Sequence, residues 1–422
     1  MKIIISLLSN AGILVGIISM IGLILQKKSA DEVFKGTAKT IIGFMIFNIG
    51  SSAISGTLGN FNKLFQTGFG IQGVVTQVEA ATALAQDKFG TIVAIVMIIG
   101  FAMNLFFARF TKFKNIFLTG QHSLYFACVL TLVLKAFNVS DVVTIICGGI
   151  ILGFSAASLP SLCQNYMNRI TGSDSLAIGH YNHMGYALSG FIGSKIGDPE
   201  ESTENFKFPK WLSIFRDFLM SIAIVMIVLF YVAAIAAGRE ATQELAGSAH
   251  WLVFPLLQGL QFTAGMSVLI TGVRMFISEI TAAFVVISEK YIPNSRPAVD
   301  CPAVFPFAPT AVILGFISAY AAGLVAMGFM ILFNSPIIMI PAASIAFFSG
   351  GTAGVFGNAT GGWKGCIAGS FIVGILLVTL PLLLYPIFAD MGIVGASFPN
   401  IDYNIIGTIL YKITEFITSI FH

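Results

Sequence analysis

Residues 366–388 read CIAGSFIVGILLVTLPLLLYPIF, an apolar run of 23 residues without a charge. A helix needs about 20 consecutive apolar residues to cross the hydrocarbon core of a bilayer, so this run is long enough to span one. Of the 422 residues in the chain, 56% are hydrophobic and 10% are charged, against roughly 25% charged residues in soluble domains. The sequence therefore predicts an all-α, polytopic membrane protein.

Eleven hydrophobic segments follow one another, and we predict a transmembrane helix in each. Lys and Arg favour the cytoplasmic side. With the N-terminus outside, sixteen of them fall in inner connections and five in outer ones, which predicts an outer N-terminus and an inner C-terminus. The first segment is interpreted as a span and not as a signal peptide; the last is the weakest, because Lys412 and Glu415 interrupt it. The segments lie near residues 3–25, 36–56, 90–110, 114–136, 141–163, 213–237, 251–273, 303–332, 335–357, 366–388 and 401–421.

The two halves of the chain share landmarks at a shift of about 221 residues. Gly50 falls on Gly272, and the segment that starts at Thr144 falls on the one that starts at Gly365. Each half holds five spans, so the second copy must enter the membrane from the opposite side. Inverted repeats of this kind occur in secondary transporters, whose binding sites lie near the midplane. The predicted units are a first repeat with its inner connection at 1–212, a second repeat at 213–400 and a C-terminal helix at 401–422.

Two acidic residues occupy nearly equivalent places in these halves. Glu79 and Asp300 follow Gly50 and Gly272 by 29 and 28 residues, in stretches that glycine and proline interrupt. Broken segments at membrane depth are tolerated where they are buried in protein or line a wet cavity, and an acidic residue there is a functional candidate. The alternative is that each residue caps a helix at the interface. We predict that both carboxylates line one solute site.

A histidine pair lies in the long inner connection 164–212. His180 and His183 flank Tyr181 and Asn182 in a stretch apolar enough to dip into the membrane. The pair resembles half of a metal site, but no third ligand follows at a suitable spacing, so we predict no metal and no cofactor. A histidine that hydrogen-bonds a hydroxylated solute suits this context better. A structural hydrogen bond is the alternative.

Two glycine-containing breaks interrupt predicted helices, one at 120–122 with Tyr125 nearby and one at 349–354 with Asn358 nearby. The first contains Gln121 and His122, and the amide and hydroxyl groups around both breaks suit sugar hydroxyls; close helix packing is the alternative. The glycine run follows no strand and lacks a P-loop lysine, which argues against nucleotide binding. No basic tract indicates nucleic acid. No nucleophile–base pair is evident, so the chain is predicted not to be an enzyme.

Short motifs along the chain resemble those of one known family. They are KGTAKTIIGFM (35–45), LTG (118–120), IGH (178–180), GVRMF (272–276), VDC (299–301) with FAP (307–309), and GVF (354–356) with GGW (361–363). In this order they resemble the ascorbate-type enzyme IIC component, or permease, of the bacterial phosphoenolpyruvate-dependent sugar phosphotransferase system. The resemblance covers nearly the whole chain.

The resemblance implies eleven transmembrane helices in two inverted five-helix repeats and a homodimer in the lipid of the bacterial cytoplasmic membrane. Each protomer would combine a dimerising scaffold domain with a mobile core domain, interleaved between the repeats and working by an elevator-like motion. A separate IIB phosphocarrier protein would phosphorylate the sugar-like or ascorbate-like solute at the inner face. This chain would then translocate the solute and carry no phosphorylated residue.

The resemblance also implies which residues contact the solute. At Ser51, His180 and Asp300 this chain has the residue type that the family has at its solute-contacting positions. Gln121 stands where the family has a histidine, and Tyr125 and Tyr181 stand where it has glutamines. Glu79 takes the place of an aromatic residue. A buried carboxylate would repel anionic ascorbate or have to be protonated, so we expect this member to prefer a neutral sugar or polyol.

A cation-coupled secondary transporter of a small polar solute is the main alternative, since midplane carboxylates in an inverted repeat also suit proton or sodium coupling. Uptake driven by an ion gradient without a IIB partner would distinguish it. A membrane-embedded enzyme would form product when purified. A channel fits less well, because paired acidic residues beside hydroxyl-binding groups indicate that a solute is occluded.

Overall fold

The computed structural model describes residues 11–70, 73–206, 218–290 and 292–421, and most of these are helical. Short 3₁₀ turns and one π-turn join some of the helices. The α-helices are α1 (Ala11–Leu25), α2 (Ala30–Phe69), α3 (Val78–Phe110), α4 (Gly120–Lys135), α5 (Asp141–Ser158), α6 (Pro160–Thr171), α7 (His183–Ile196), α8 (Phe218–Ala246), α9 (Phe254–Lys290), α10 (Pro309–Leu332), α11 (Ala343–Ile345), α12 (Gly351–Thr379), α13 (Tyr385–Asp390) and α14 (Ile401–Phe421). The strands are β1 (Val74–Val75), β2 (Asn115–Phe117), β3 (Ala177–Ile178), β4 (Arg296–Val299) and β5 (Met339–Ile340).

Six helical stretches within the described residues are long and apolar enough to cross a membrane. This agrees with the predicted class of an all-α membrane protein. The predicted count of eleven spans is not established by these six and stays a prediction. The stretches are Ala30–Phe69, Lys88–Phe110, Asp141–Thr171, Ile222–Ala246, Pro309–Leu332 and Ala343–Leu383.

Three of the predicted segments differ in form from simple spans. The segment 114–136 consists of β2 followed by α4, which has 16 residues and at 1.5 Å per residue reaches about 24 Å, less than the ~30 Å hydrocarbon core. The segments 335–357 and 366–388 join in one helical stretch with a kink inside α12. There Gly362 has φ +56, and a Cβ on it would lie 2.4 Å from the carbonyl oxygen of Glu201. Only glycine fits this position.

The helices pack in groups that share close contacts. α9 lies along α2 and α8, where the Asn60 side-chain amide donates to Gln258 at 3.0 Å. α12 packs between α7 and α10, and α3 packs against α5. At the last contact a Cβ on Gly153 would lie 2.7 Å from the carbonyl oxygen of Gly100, so small residues allow the two backbones to approach.

Within the described residues, five short strands form two small parallel sheets. In one sheet β4 lies between β2 and β3; in the other β1 pairs with β5, and Val75 also bridges to Ala396. Parallel pairing requires long crossover connections, so each sheet joins segments that are far apart in sequence. The three strands of the first sheet end at the same edge. That edge is where the candidate site lies.

Candidate functional site

Each strand of the three-stranded sheet leads into a polar turn. β2 is followed by Gln121 and His122 at the start of α4, β3 by His180 just before α7, and β4 by Asp300. Because the strands are parallel, these side chains meet at one edge, the position at which open parallel sheets commonly bind ligands. The N-terminal ends of α4 and α7 also meet here, and each carries a partial positive charge. The sheet therefore explains why Gln121 and Asp300, which are 179 positions apart, belong to one site.

Asp300 lies at the centre of this group with its side chain 11% exposed. Its Oδ2 accepts a hydrogen bond from Gln121 Nε2 at 3.0 Å, and its Oδ1 accepts one from the backbone N–H of Cys301 at 2.7 Å. Asp300 thereby caps the 3₁₀ turn 301–307. The sequence left two roles open for Asp300, a helix cap and a site residue. The two roles are compatible, because the oxygen that caps the turn also faces His122.

His122 is the nearest basic side chain to this carboxylate. Its Nε2 lies 3.7 Å from Asp300 Oδ1, and its side chain is 7% exposed. The other ring nitrogen, Nδ1, lies 2.9 Å from the hydroxyl of Tyr403 on α14. The ring of Tyr125 meets the His122 ring edge-on at a centroid distance of 5.6 Å. The first turns of α4 thus bring Gln121 and His122 to Asp300 and Tyr125 to His122.

His180 completes the cluster from the opposite side. Its ring centroid lies 4.1 Å from that of His122. Its Nδ1 is 2.6 Å from the Tyr186 hydroxyl and 3.4 Å from the Asn182 side-chain nitrogen. Asn182 in turn donates to Ser349 Oγ at 2.8 Å, which ties this turn to the π-turn 346–350. We call His122, His180, Asp300 and Gln121 the polar cluster.

His183 belongs to a neighbouring buried pair. Its Nδ1 lies 2.7 Å from Asp402 Oδ2, and the backbone N–H groups of His183 and Met184 also donate to that carboxylate, at 2.8 and 3.0 Å. Asp402 therefore caps the start of α7 from the first turn of α14. The two histidines that look like half a metal site in the sequence point to different acids in the fold.

Three groups of the polar cluster could serve as metal ligands, since ligand atoms of His122, His180 and Asp300 all lie within 4.8 Å of one another. His183 is not part of this group: His180 is joined by His122 from α4 and by Asp300, which follows β4 and lies 120 residues after His180. Whether these groups are set to hold a cation depends on which ring nitrogens carry protons.

Three other residues were predicted to line the site: Tyr181, Ser51 and Glu79. The Tyr181 side chain is fully buried among Phe117, Phe126 and Tyr403, and its hydroxyl lies 3.1 Å from Ser155 Oγ, so its contacts are those of a core residue. Ser51 lies within α2 and Glu79 is the second residue of α3, but both side chains lie outside the described part of the structure. The predicted sharing of one site by Glu79 and Asp300 stays a prediction.

The second glycine-containing break serves packing. A Cβ on Gly354 would lie 2.4 Å from the carbonyl oxygen of Ala311. The Asn358 amide oxygen accepts from the backbone N–H of Thr203 at 2.8 Å, and its nitrogen donates to Ser202 Oγ at 3.1 Å. These contacts fasten the connection after α7 to α12, which is the alternative that the sequence left open.

Tyr403, Tyr186 and Asn182 orient the cluster but were not predicted to do so. Tyr403 belongs to the weakest predicted span, and its partner His122 is 281 positions away. The signal available in the sequence was Asp402-Tyr403-Asn404, three polar residues at the start of an otherwise apolar helix. A polar triplet at that place indicates buried hydrogen bonding.

Comparison with known proteins shows the family of the chain. Residues 6–402 match the family described as PTS system sugar-specific permease component, named EIIC-GAT. The chain belongs to this family. Among curated proteins, the permease component is similar to the Ascorbate-specific PTS system EIIC component of Mycoplasma pneumoniae, with 28% identity over 425 aligned residues. The alignment covers 87% of this chain and 64% of that protein, so this permease component spans less than two thirds of its relative's length. The family resemblance of the motifs is confirmed.

Proposed function

We propose that this permease component moves a sugar-like solute, ascorbate or a related sugar or polyol, inward across the bacterial cytoplasmic membrane. The observation that carries the proposal is the polar cluster: two histidines, a carboxylate and an amide, nearly buried at the meeting point of two helix starts in a chain of a sugar-permease family. A hydroxylated solute needs both donors and acceptors around it. The cluster offers both.

A separate IIB phosphocarrier protein would phosphorylate the solute at the inner face. Both histidines of the cluster use Nδ1 for contacts with tyrosine hydroxyls and are almost fully buried, an arrangement unsuited to a phosphoryl carrier. The phosphoryl group would then come from the partner protein. The chain itself would act as the translocation subunit.

An elevator-like motion of a core domain against a dimerising scaffold is the proposed mechanism, with two inverted repeats as its basis. The strand pairing supports the repeat: β1 lies between β5 and Ala396 as β4 lies between β2 and β3. A shift of about 222 residues carries β1 onto β4 and β2 onto β5, near the shift read from the sequence. The proposal includes the homodimer, the repeat boundaries 1–212 and 213–400, the C-terminal helix 401–422 and an outer N-terminus with an inner C-terminus.

The cation-coupled transporter is not favoured once the family is known, and one uptake experiment distinguishes the two functions. Vesicles that contain the purified chain are loaded with a phosphoenolpyruvate-dependent phosphorylation system, with or without the IIB protein, and given labelled L-ascorbate or a panel of sugars and polyols. We expect accumulation of phosphorylated solute only when IIB is present. Accumulation of unmodified solute driven by an ion gradient alone would contradict the proposal.

The site is tested with a matched pair of variants. Asp300→Asn removes the charge at the centre of the polar cluster, whereas Asp390→Asn removes an exposed carboxylate at the end of α13. We expect the first to abolish solute-induced thermal stabilisation of the purified protein and the second to leave it unchanged. Equal stabilisation of both variants would remove the cluster from the binding site.

A further inference from the structure

The contacts of Tyr403 determine which ring nitrogen of His122 carries a proton. The Tyr403 hydroxyl lies 3.1 Å from the backbone carbonyl oxygen of His122 and 2.9 Å from the Nδ1 atom of the same residue. A carbonyl oxygen can only accept, so the single hydroxyl proton is donated to it. The phenolic oxygen must then accept from Nδ1–H. His122 is therefore the Nδ1–H tautomer, and its Nε2 presents a lone pair.

The contacts of Asn182 determine the opposite state for His180. The Asn182 Oδ1 atom accepts from the backbone N–H of Ile401 at 2.6 Å, which fixes the orientation of the amide. The amide nitrogen, a donor only, then faces His180 Nδ1 at 3.4 Å and Ser349 Oγ at 2.8 Å. We infer that Nδ1 accepts from the Tyr186 hydroxyl, which lies 2.6 Å away, and that the amide faces the same atom. His180 is thus the Nε2–H tautomer and offers a donor to the site.

The polar cluster therefore contains two acceptors, on His122 and Asp300, that are not hydrogen-bonded to each other. His122 Nε2 and Asp300 Oδ1 are 3.7 Å apart, too far for a hydrogen bond, and each has a lone pair in the gap. A metal ion would need lone pairs on both histidine Nε2 atoms, and His180 does not offer one. Two hydroxyl donors from the solute satisfy both acceptors, while His180 Nε2–H donates to a solute oxygen.

We propose that His122 is a specificity-determining residue which, paired with Asp300, receives two adjacent hydroxyl groups of the solute, and that Tyr403 positions it by holding its tautomer. This inference rests on the proposed function and deepens it, because it selects solutes that carry a vicinal diol. For ascorbate, the side-chain diol would lie here and not the acidic enediol, whose anionic oxygen cannot donate.

The tautomers are measured first, independently of transport. The chain has five histidines, so ¹⁵N-histidine labelling of the full-length protein in lipid gives a spectrum simple enough for solid-state NMR. We expect an Nδ1–H resonance pattern that disappears in His122→Gln and an Nε2–H pattern that disappears in His180→Gln. In Tyr403→Phe we expect the His122 pattern to change from the Nδ1–H form. A wild-type His122 in the Nε2–H form, or a doubly protonated one, would overturn the inference.

Ligand recognition is measured next with L-ascorbate and its 5,6-O-isopropylidene derivative, in which both side-chain hydroxyls are capped. We expect the wild type to bind ascorbate and the capped compound to lose roughly tenfold or more in affinity, since each lost hydrogen bond to a buried partner costs about a factor of ten. Tyr403→Phe should weaken ascorbate binding by a similar factor. Tyr320→Phe is the matched control, because the buried Tyr320 hydroxyl has no hydrogen-bond partner among the described residues.

The outcomes separate the inference from the proposed function. Equal binding of ascorbate and the capped compound by the wild type would overturn the diol pairing while leaving the permease function intact. Binding of Zn²⁺ alone at the cluster, lost in His180→Gln, would also overturn it, because it requires the other His180 tautomer. If the wild type binds no sugar, polyol or ascorbate, the proposed function fails, and the NMR spectrum still decides the tautomers.

Discussion

His183 on α7 and Asp402 on α14 are 219 positions apart in the sequence, and their side chains are 2.7 Å apart and fully buried. Both residues lie in the first turn of their helices. The pair fastens the starts of the two helices together, beside the polar cluster. Tyr403, which follows Asp402, is thereby held against His122.

Asp402→Ala should strongly destabilise the protein. The substitution leaves three donors without a partner: the His183 ring and the backbone N–H groups of His183 and Met184. Breaking a buried pair costs ~3–5 kcal/mol. Thermal unfolding of the purified protein measures the loss. Asp141→Ala is the control, because Asp141 is 67% exposed in its ion pair with Lys135 and such surface pairs contribute ~0–1 kcal/mol. Similar melting temperatures for the two variants would contradict a structural role for the buried pair.

Glu79→Gln should raise the affinity for ascorbate relative to a neutral polyol. If Glu79 shares the site with Asp300, removing its charge removes repulsion of an anion. Competitive binding of ascorbate and the polyol to both proteins gives the ratio. Glu240→Gln, which neutralises an exposed carboxylate on α8, should leave the ratio unchanged. A wild type that transports ascorbate as well as any sugar or polyol would contradict the expected neutral preference.

The ion pair between Asp174 and Arg296 should contribute a small, pH-dependent stability. Burial alone would raise the Asp174 pKa, but hydrogen bonds from Arg296, Asn168 and Gln164 outweigh it and hold the pKa below its usual value. A carboxylate whose pKa is lower in the folded than in the unfolded protein stabilises the fold at pH values above its unfolded pKa, about 3.9. This stability is lost as the pH falls through the folded pKa. Because Asp174 is 54% exposed, we expect under ~1 kcal/mol.

The comparison of wild type and Asp174→Asn checks this contribution. Their difference in unfolding free energy should be present at pH 7 and should shrink as the pH falls below the usual Asp range. A difference that grows on acidification would show that the carboxylate is not stabilised by its partners.

Gly362→Ala should destabilise the kink in α12. Gly362 has φ +56 and ψ −148, a sparsely populated conformation that costs about 1–3 kcal/mol for a residue with a Cβ. The added Cβ would also lie 2.4 Å from the carbonyl oxygens of Asp198 and Glu201. Gly328→Ala in α10 is the control, since a Cβ there meets nothing within 4 Å. We expect a lower melting temperature for the first variant and an equal or higher one for the second. An unchanged melting temperature for Gly362→Ala would mean that the kink tolerates a side chain.

The sequence predicted the class of the protein and part of the site, for physical reasons. Long uncharged runs are a local property, so α2, α10 and the stretch Ala343–Leu383 could be located without a fold. Asp300, Gln121 and His180 could be selected because a polar residue in a broken apolar segment is unusual. The boundary between the predicted segments 335–357 and 366–388 falls at the kink of α12, where Gly361 and Gly362 leave the helical conformation.

What the sequence could not show are the contacts between distant segments. His122 was noted beside Gln121 but not selected, because its role depends on the pairing of β2 with β4, whose partner residues are 181 positions apart. The partners Tyr403 and Asp402 come from a helix whose register against α4 and α7 no local pattern specifies. Tyr181 was selected for its neighbour His180, yet it faces the aromatic core on the other side of the same turn.

The central claim is that the solute binds at the edge of the three-stranded sheet, between Asp300, His122 and His180. A structure of the full chain in lipid with L-ascorbate, or with the sugar or polyol that stabilises it most, tests this directly. We expect solute density within hydrogen-bond distance of Asp300 and both histidines. Density at another place, with the polar cluster unchanged and empty, would contradict the assignment of the site.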